Sequence, residues 1–138
     1  MKISKKDIKI FLFSILGFFI FGFSLVYIQN RMFDNLLDSG RYTIGVGKKI
    51  EKRRTDSDFI YTYKVNDKVY EGSVVLSLGD TGMVVGGVYF VVFDSNKPKK
   101  SFLIKSPAVP VKINLEDIPQ AGWAELPVQI SKDSIIRF

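Results

Sequence analysis

Residues 10–28 read IFLFSILGFFIFGFSLVYI, an uncharged stretch of nineteen residues between a short basic leader and the rest of the chain. Fourteen of these residues are Ile, Leu, Val or Phe, and each such side chain near a bilayer centre favours insertion by roughly 0.3 to 0.6 kcal/mol. As a helix rising about 1.5 Å per residue, the stretch spans about 28 Å, close to the roughly 30 Å hydrocarbon core of a membrane. The stretch therefore predicts a single transmembrane helix.

Two other interpretations of this stretch need weighing, a core helix of a soluble domain and a cleaved signal peptide. A signal peptide has the same basic leader and apolar run, but its apolar part is usually shorter and is followed by small residues at a cleavage site. Here the stretch ends in the sequence YIQNR, residues 27–31, which lacks that pattern. The sequence pattern of the remaining chain predicts short strands, whereas a core helix of this length would need other long elements to bury it on all sides. We therefore favour an uncleaved signal anchor.

The charges on the two sides of the span indicate its orientation. Four lysines precede it with only Asp7 opposing them, whereas the two basic and two acidic residues that follow it balance each other. The positive-inside rule then places the N-terminus in the cytoplasm. We predict a single-pass protein of the cytoplasmic (inner) membrane, with the C-terminal domain in the periplasm or the exterior. The lysines are Lys2, Lys5, Lys6 and Lys9.

The domain organisation follows from the positions at which the composition and the spacing of apolar residues change. We predict a basic cytoplasmic leader at 1–9, the transmembrane helix at 10–28, a stalk helix at 29–40, a β domain at 41–105 and a proline-containing C-terminal arm at 106–138. Ser4 and Asp7 resemble a capping box, and Gly40 is placed to end the stalk. The stalk carries an apolar stripe at helical spacing, which would lie on the membrane, pack on the domain or pair with another subunit. The stripe is Met32, Phe33, Leu36 and Leu37.

After Gly40 the apolar period changes from that of a helix to that of a strand. Between residues 42 and 50, Tyr, Ile and Val alternate with small or polar residues, which predicts a strand with one buried and one solvent-exposed face. Residues 59–65 repeat the alternation, and Asn66-Asp67 suits a two-residue turn with positive φ. This predicts a hairpin with one aromatic face, pairing Val65 with Lys68, Tyr63 with Tyr70, Tyr61 with Gly72 and Phe59 with Val74.

The rest of the domain is predicted from shorter signals. Residues 77–87 form a glycine-rich loop, 88–93 an unbroken apolar strand covered on both faces, 94–100 a turn and 101–105 a short strand. The arm combines four prolines with many apolar residues, which predicts extended pieces and one helical turn near 115–118, packed on the domain or on a partner. The fold class is mainly β: one N-terminal transmembrane helix with a stalk, then a small antiparallel β barrel or roll of about five strands with an extended C-terminal arm.

Within residues 43–104, the sequence reads IYTYKVNDKVYEGS at 60–73 and, after a glycine-rich gap, VYFVVFDSNKPKKSFL at 88–103. These two segments resemble a bacterial family of membrane-associated domains of unknown function, the three-five-nine-two family. Its members have a strand Tyr-x-Tyr/Phe-x-Val, a turn Asn/Asp-Gly-Lys-x-Tyr and a closing Val-x-Tyr-Asp-x-x-Asn-Pro-x-x-Ser-x-Leu. Asp67, Phe93 and Lys97 depart from that pattern, which the arm does not share. The resemblance implies a small membrane-attached β domain and transfers no activity. The matching positions are Tyr61, Tyr63, Val65, Asn66, Lys68, Tyr70, Val91, Asp94, Pro98, Ser101 and Leu103.

The composition excludes many kinds of catalytic site. The chain has no Cys and no His, so thiolate chemistry, disulfides and the commonest general base and metal ligand are missing. Asp80-Thr81-Gly82 matches the catalytic triplet of aspartic proteases, but Gly79 and Met83 stand where those enzymes have different residues. We therefore predict no catalytic, cofactor-binding or metal-binding residues, no cofactor and no enzyme activity, with Asp80 the first carboxylate to test.

A basic run and a tryptophan are the candidate interaction residues. The run would meet acidic lipid headgroups, an envelope polyanion or an acidic protein, or it is a solvated strand end that discourages edge pairing. Lys97, Lys99 and Lys100 extend it if the turns lie close together. Residues 41–138 carry fifteen basic and eleven acidic side chains, so no nucleic acid partner is expected. The candidates are Lys48, Lys49, Lys52, Arg53, Arg54 and Trp123.

These features predict a non-enzymatic, single-pass accessory or interaction module that forms part of an envelope protein complex. Its expected partners are the lipid bilayer and either other envelope proteins or further copies of itself. The alternative is an extracytoplasmic sensor of a ligand or glycan, which would use tyrosines and Trp123 on an exposed face of the sheet.

Overall fold

One long α-helix, six strands and two 3-10 helices, Leu115–Asp117 and Lys132–Ser134, make up the regular structure in the computed structural model, which describes residues 5–77 and 79–138. The helix α1 spans Lys5–Ser39. The strands are β1 (Arg41–Lys52), β2 (Ser57–Val65), β3 (Lys68–Leu76), β4 (Val88–Phe93), β5 (Ser101–Ser106) and β6 (Ile136–Arg137). The chain divides into two compact units, one ending at Asn35 and the other formed by Leu36–Phe138, which is called the β unit below.

The first unit is helical throughout its described part. Among the described residues there is one helix long and apolar enough to cross a membrane, and its most apolar window has a mean hydropathy of 2.3 with none of it buried. The helix runs without a break from the predicted leader through the predicted span and stalk. The predicted capping box lies outside the described residues, because Ser4 is not among them.

The helix ends within the β unit, where Leu36 and Leu37 are buried. These two members of the predicted stripe therefore pack on the domain, one of the three places foreseen for them. Gly40 follows the last helical residue, and its N–H donates to the Leu36 carbonyl at 2.8 Å. A β-carbon at Gly40 would clash with the carbonyl oxygens of Leu36 and Phe93. Glycine follows the helix because the backbone at Leu36 and Phe93 passes too close to its α-carbon to leave room for a side chain.

The strands form one antiparallel sheet in the order β3-β2-β1-β4-β5-β6, which curls into a half-barrel. The predicted mainly-β fold is confirmed, and the arm adds a short sixth strand to the predicted five. All four residue pairs predicted for the β2–β3 hairpin are present. Asn66 and Asp67 have φ of 49° and 63°, as the two-residue turn requires.

Aromatic rings from β2 and β3 fill one face of the sheet, as predicted. Tyr63 stacks on Tyr61 and Tyr70 with ring centroids 5.9 and 5.8 Å apart. The Tyr61 hydroxyl lies 3.1 Å from the Ser101 hydroxyl of β5, and the Tyr63 hydroxyl donates to the Pro98 carbonyl. The rings thus connect β2 to the far side of the curled sheet. The core cluster is Phe59, Tyr61, Tyr63, Val65, Val91, Phe93 and Leu103.

The face assignment predicted for β1 is right at the start of the strand, where Tyr42 and Ile44 are buried, and wrong further along. Thr43, Gly45 and Gly47 are buried, whereas Val46 and Ile50, predicted to be buried, are 38% and 43% exposed. The glycines face the core because side chains from neighbouring strands occupy the space of their missing side chains: a β-carbon would stand 2.8 Å from a Val91 methyl at Gly45 and 2.5 Å from the Phe59 ring at Gly47. A bulge between Gly47 and Lys49 then shifts the register with β2. In β4, Phe90 to Phe93 are fully buried, as predicted, whereas Val88, predicted to be covered as well, is 40% exposed.

The C-terminal arm is fastened to the sheet at several points. The guanidinium of Arg41 donates to the carbonyls of Ala121 and Gly122 at 2.7 and 2.8 Å. The backbone of Trp123 exchanges two hydrogen bonds with Tyr42, at 2.7 and 2.8 Å. The predicted helical turn is a 3-10 helix at Leu115–Asp117. The arm packs on its own domain rather than extending away from it.

Candidate functional site

A polar cavity of about 450 Å³ is formed by the end of β1, the facing parts of β2 and β3, and the approach to β5. Three carboxylates, two cationic groups and two serine hydroxyls stand in its wall. Glu51 of β1 lies opposite Asp58 of β2, and Ile60 of β2 lies opposite Ser73 of β3, so the antiparallel registers bring these side chains together. The lining residues are Glu51, Arg53, Asp58, Ile60, Glu71, Gly72, Ser73, Lys99 and Ser101.

Asp58 is the unusual member of this wall. Its side chain is 5% exposed, and its Oδ2 is ion-paired with the guanidinium of Arg53. Its Oδ1 is buried and receives no hydrogen bond from the part of the chain that the structure describes. A buried acceptor without a donor costs about 1 to 3 kcal/mol. The wall of the cavity therefore contains a buried acceptor whose hydrogen-bonding capacity is not used among the described residues.

Three of the five predicted basic residues are ion-paired. Lys48 pairs with Glu71 at 2.7 Å, Lys49 with Glu51, and Arg53 with Asp58. Lys52 and Arg54 have no ion pair among the described residues. The run thus forms an alternation of charges in which much of the positive charge is neutralised, and only Lys52 and Arg54 present it unopposed.

The three lysines of the β4–β5 turn are only partly associated with this run. Lys99 lines the polar cavity together with Arg53, so this one of the three lysines lies beside the basic run. The backbone N–H groups of Lys97 and Lys100 close the turn, by donating to the carbonyls of Asp94 and Lys97 at 3.2 and 2.8 Å. Neither side chain lines the cavity.

The aromatic candidates do not form an exposed platform. Trp123 is half-buried and holds the arm against β1 through its backbone, while Tyr61 and Tyr63 are buried in the core. Burial raises the pKa of Tyr61 to about 12, although its hydrogen bond with Ser101 partly offsets this shift. Tyr61 and Tyr63 are therefore not available as the exposed tyrosines that a ligand sensor would use, whereas Tyr70 and Tyr89 are partly exposed.

A second cavity, of about 500 Å³, lies between the end of the helix and the arm within the β unit. Two contacts join polar groups of its wall: Lys132 pairs with Asp38 at 2.9 Å, and the Tyr42 hydroxyl donates to the Leu37 carbonyl at 3.0 Å. Burial raises the pKa of Tyr42, although the nearby Lys132 opposes this effect. Because Asp58 Oδ1 is the only buried side-chain acceptor left without a partner among the described residues, we regard this cavity as the joint that fastens the arm, and the polar cavity as the better candidate site.

The candidate catalytic motifs do not form an assembled site in the described part of the chain. The Asp80 carboxylate accepts a hydrogen bond from the Ser77 N–H at 2.8 Å, so it closes an exposed turn. Gly45, Gly47 and Lys48, which superficially resemble a phosphate-binding loop, lie in β1. Across residues 6–77 and 79–138, no three acidic side chains are grouped so that they could hold a metal ion.

No family model matches the chain, and comparisons with curated proteins and with solved structures also gave no match. The polar cavity itself could not be found from sequence, because its residues come from four separate segments. The only local signal was Asp58, an acidic residue inside an otherwise apolar alternation.

Proposed function

We propose that this protein is a non-enzymatic interaction module anchored in a membrane by a single helix. The observation that carries this proposal is the exposed apolar surface of residues 10–28, in which Phe18 and Phe23 are 78% and 75% exposed. Apolar surface of this extent marks a membrane or protein contact in folded proteins. A bilayer would cover it on all sides, and the β unit would then stand at the surface of that bilayer, available to other envelope proteins.

The same proposal includes a location and an orientation. The lysines before the span favour an N-terminus in the cytoplasm, so the β unit would lie in the periplasm or the exterior, attached to the cytoplasmic membrane. Nucleic acid is not an expected partner there. Reporter fusions at both termini test the sidedness, and a C-terminal reporter that is active only inside the cell would reverse it.

Membrane anchoring is tested by alkaline carbonate extraction of native membranes. We expect the wild-type chain to remain in the membrane pellet. Replacing Leu16 and Ile20 by Arg should release it, because each Arg near the bilayer centre costs about 2.5 to 3.5 kcal/mol against a total gain of about 4 to 8 kcal/mol for the span. The matched variant with Ala at both positions should stay in the pellet. Release of the wild type itself would contradict the anchor.

The interaction role is tested by crosslinking in intact membranes followed by affinity capture of the full chain. We expect the chain to be recovered together with another envelope protein or with further copies of itself. Recovery of the protein alone and monomeric, at native abundance, would count against an interaction module.

A second candidate function, a sensor of a small ligand or glycan, is favoured by one observation: the unused Oδ1 acceptor of Asp58 in the polar cavity. A ligand that donates hydrogen bonds, such as a sugar or an amine, would satisfy this atom. Thermal unfolding in the presence of glucosamine, glucose or glycine provides the test. A sensor predicts a rise in Tm with one of these probes that Ser73→Ala and Lys99→Ala reduce, and a Tm that none of them changes speaks against this set of ligands.

The resemblance of residues 43–104 to the three-five-nine-two family remains part of the proposal. Its support is that the two motifs coincide with turns: the first with the β2–β3 turn, and the second with the turn between β4 and β5. Since the motif positions are turn and core residues, membership would extend the description of the fold and leave the partner open.

A further inference from the structure

The strand β3 ends the sheet on one side, and its outer edge is unpaired in the described part of the chain. β3 pairs only with β2, whereas the other end of the sheet is the two-residue strand β6. An edge of nine residues presents a row of N–H and C=O groups that another strand can bind. Natural edges are usually protected by Pro, Lys or bulges, and within β3 the only such residue is Lys68 at its start.

The hairpin fixes which residues direct their backbone groups outward. In a two-residue hairpin the residues flanking the turn, here Val65 and Lys68, form a hydrogen-bonded pair, and the pattern alternates from there. The even-numbered residues of β3 therefore bond to β2. The odd-numbered residues direct their N–H and C=O groups to the free edge, and these are Val69, Glu71, Ser73 and Val75.

The side chains of this outward row suit an exposed contact. Val69 and Val75 are 71% and 53% exposed. Glu71 lies between them and is neutralised within its own chain by Lys48, whose Nζ is 2.7 Å from the carboxylate. The polar cavity lies beside Glu71, Gly72 and Ser73, the middle of the edge, and Lys99 and Ser101 line its other side. The edge thus combines free backbone groups, two exposed valines and a balanced charge.

We propose that the β3 edge pairs with the β3 edge of a second copy of this chain, antiparallel and centred on Gly72. Gly72 is the midpoint of Lys68–Leu76, so this register pairs the whole strand. It sets Val69 opposite Val75 and Glu71 opposite Ser73, each pair occurring twice by the two-fold symmetry. The two sheets then form one continuous sheet across the interface.

Neighbouring registers are less favourable for physical reasons. In a continuous sheet, residues paired across the two strands must both belong to the outer face or both to the inner face. The two-fold axis of the pairing must therefore pass through a residue, and it can shift only by whole residues along the strand. A centre at Glu71 places the two Glu71 carboxylates opposite each other, which is destabilising. A centre at Ser73 leaves Lys68 and Val69 without partners in β3 and sets Glu71 opposite Val75. The Gly72 register alone matches valine with valine and glutamate with serine.

This inference deepens the proposed interaction module by naming a second copy as the partner, and it rests on the proposed anchor for its local concentration. Copies held in one membrane meet at a much higher effective concentration than free molecules do. A short edge contact that would be weak in solution is thereby favoured.

Disulfide mapping of the full chain in native membranes tests the register. Because the chain has no native Cys, only the introduced cysteines can form a disulfide between copies. Two differently tagged copies carry Val69→Cys and Val75→Cys. Opposite residues in a hydrogen-bonded pair have α-carbons about 5.5 Å apart, within disulfide range. We expect an oxidant to crosslink the mixed copies and not either variant alone, because like positions would lie about 20 Å apart.

A matched pair of charge variants gives a second readout. Ser73→Glu places a carboxylate opposite Glu71 of the other copy and should reduce the mixed crosslink several-fold. Ser73→Lys, at the same exposed position, should retain or increase it. A mixed crosslink no stronger than that of Val69→Cys alone overturns the pairing, as does equal sensitivity to both charges.

The outcomes separate this inference from the function on which it rests. If the mixed crosslink fails while affinity capture returns a different envelope protein, the self-pairing is wrong and the interaction module stands. If the chain is not retained in membranes at all, the anchor fails first. A crosslink that persists in detergent at high dilution would show that the edge contact does not need the membrane.

Discussion

At the scale of single residues, the main lesson concerns charges that look alike in sequence. Arg53 and Arg54 are adjacent in the same basic run, yet Arg53 is paired with the buried carboxylate of Asp58 while Arg54 has no ion pair among the described residues. The sequence predicts that the run is basic, but the partner of each cation depends on strand register and on the bulge after Gly47. Single residues of such a run therefore differ in what they contribute to stability.

We predict that Arg53→Ala destabilises the protein and that Arg54→Ala does not. Removing Arg53 leaves the Asp58 carboxylate buried with neither oxygen paired among the described residues. The cost of breaking such a pair is largest when both partners are buried. Because Arg53 is 61% exposed and solvent screens the pair, we expect a loss of about 1 to 2 kcal/mol in the free energy of unfolding, and less than about 0.5 kcal/mol for Arg54→Ala.

Urea unfolding of the full chain in detergent micelles, followed by tryptophan fluorescence, measures both variants. Equal stabilities for the two would mean that Asp58 is not held by Arg53. The variant Arg53→Lys, which keeps a charge but not the planar guanidinium, should fall between them.

At the scale of elements, sequence reasoning succeeded where the signal was local. The β2–β3 hairpin was predicted pair by pair, because the alternation of residues 59–65 and the Asn66-Asp67 turn lie next to each other in the chain. It failed for β1 beyond Ile44, since the burial of Gly45 and Gly47 depends on side chains from β2 and β4. Only the assembled sheet shows that the small residues of β1 face the core.

The β2–β3 turn gives a prediction at this scale. Asp67 adopts a φ of 63°, a conformation that glycine enters without strain. Glycine is the common residue at this second position of a two-residue hairpin turn. We expect Asp67→Gly to stabilise the protein by about 0.5 kcal/mol, since relief of the left-handed conformation slightly exceeds the added flexibility of the unfolded chain.

The same substitution also removes the exposed ion pair with Lys64, whose Nζ lies 3.0 Å from the Asp67 carboxylate. Such surface pairs contribute little. Asp67→Ala removes the ion pair while keeping a β-carbon, so it should be destabilising, and the difference between the two variants isolates the backbone effect. A denaturation midpoint that falls for Asp67→Gly as much as for Asp67→Ala would refute this reasoning.

At the scale of the whole molecule, the fold class could be predicted because each part has its own period: an apolar run for α1 and an alternation for the sheet. The candidate site could not. The polar cavity draws on β1, β2, β3 and the approach to β5, and its key residue, Asp58, is defined by burial, a property that no single segment reveals. Function thus remains less accessible from this sequence than architecture.

The buried tyrosines lead to a prediction for the stability of the whole β unit at alkaline pH. Burial raises the pKa of Tyr61 to about 12 from an ordinary value of 10.0, and burial also raises the pKa of Tyr63 and of Tyr42. The folded state therefore holds the tyrosine protons more tightly than the unfolded state does. This stabilisation is fully present below pH 10 and is lost as the pH rises from 10 towards 12.

For Tyr61 alone, a shift of this size corresponds to at most about 3 kcal/mol. The urea midpoint of the wild type should accordingly fall steeply over this range. Tyr61→Phe cannot lose a proton, so its midpoint should start lower, because the hydrogen bond with Ser101 is gone, and then fall less steeply. The remaining slope belongs to the other tyrosines and to the lysines. Parallel curves for the two proteins would mean that the Tyr61 hydroxyl ionises as readily in the folded state as in the unfolded one.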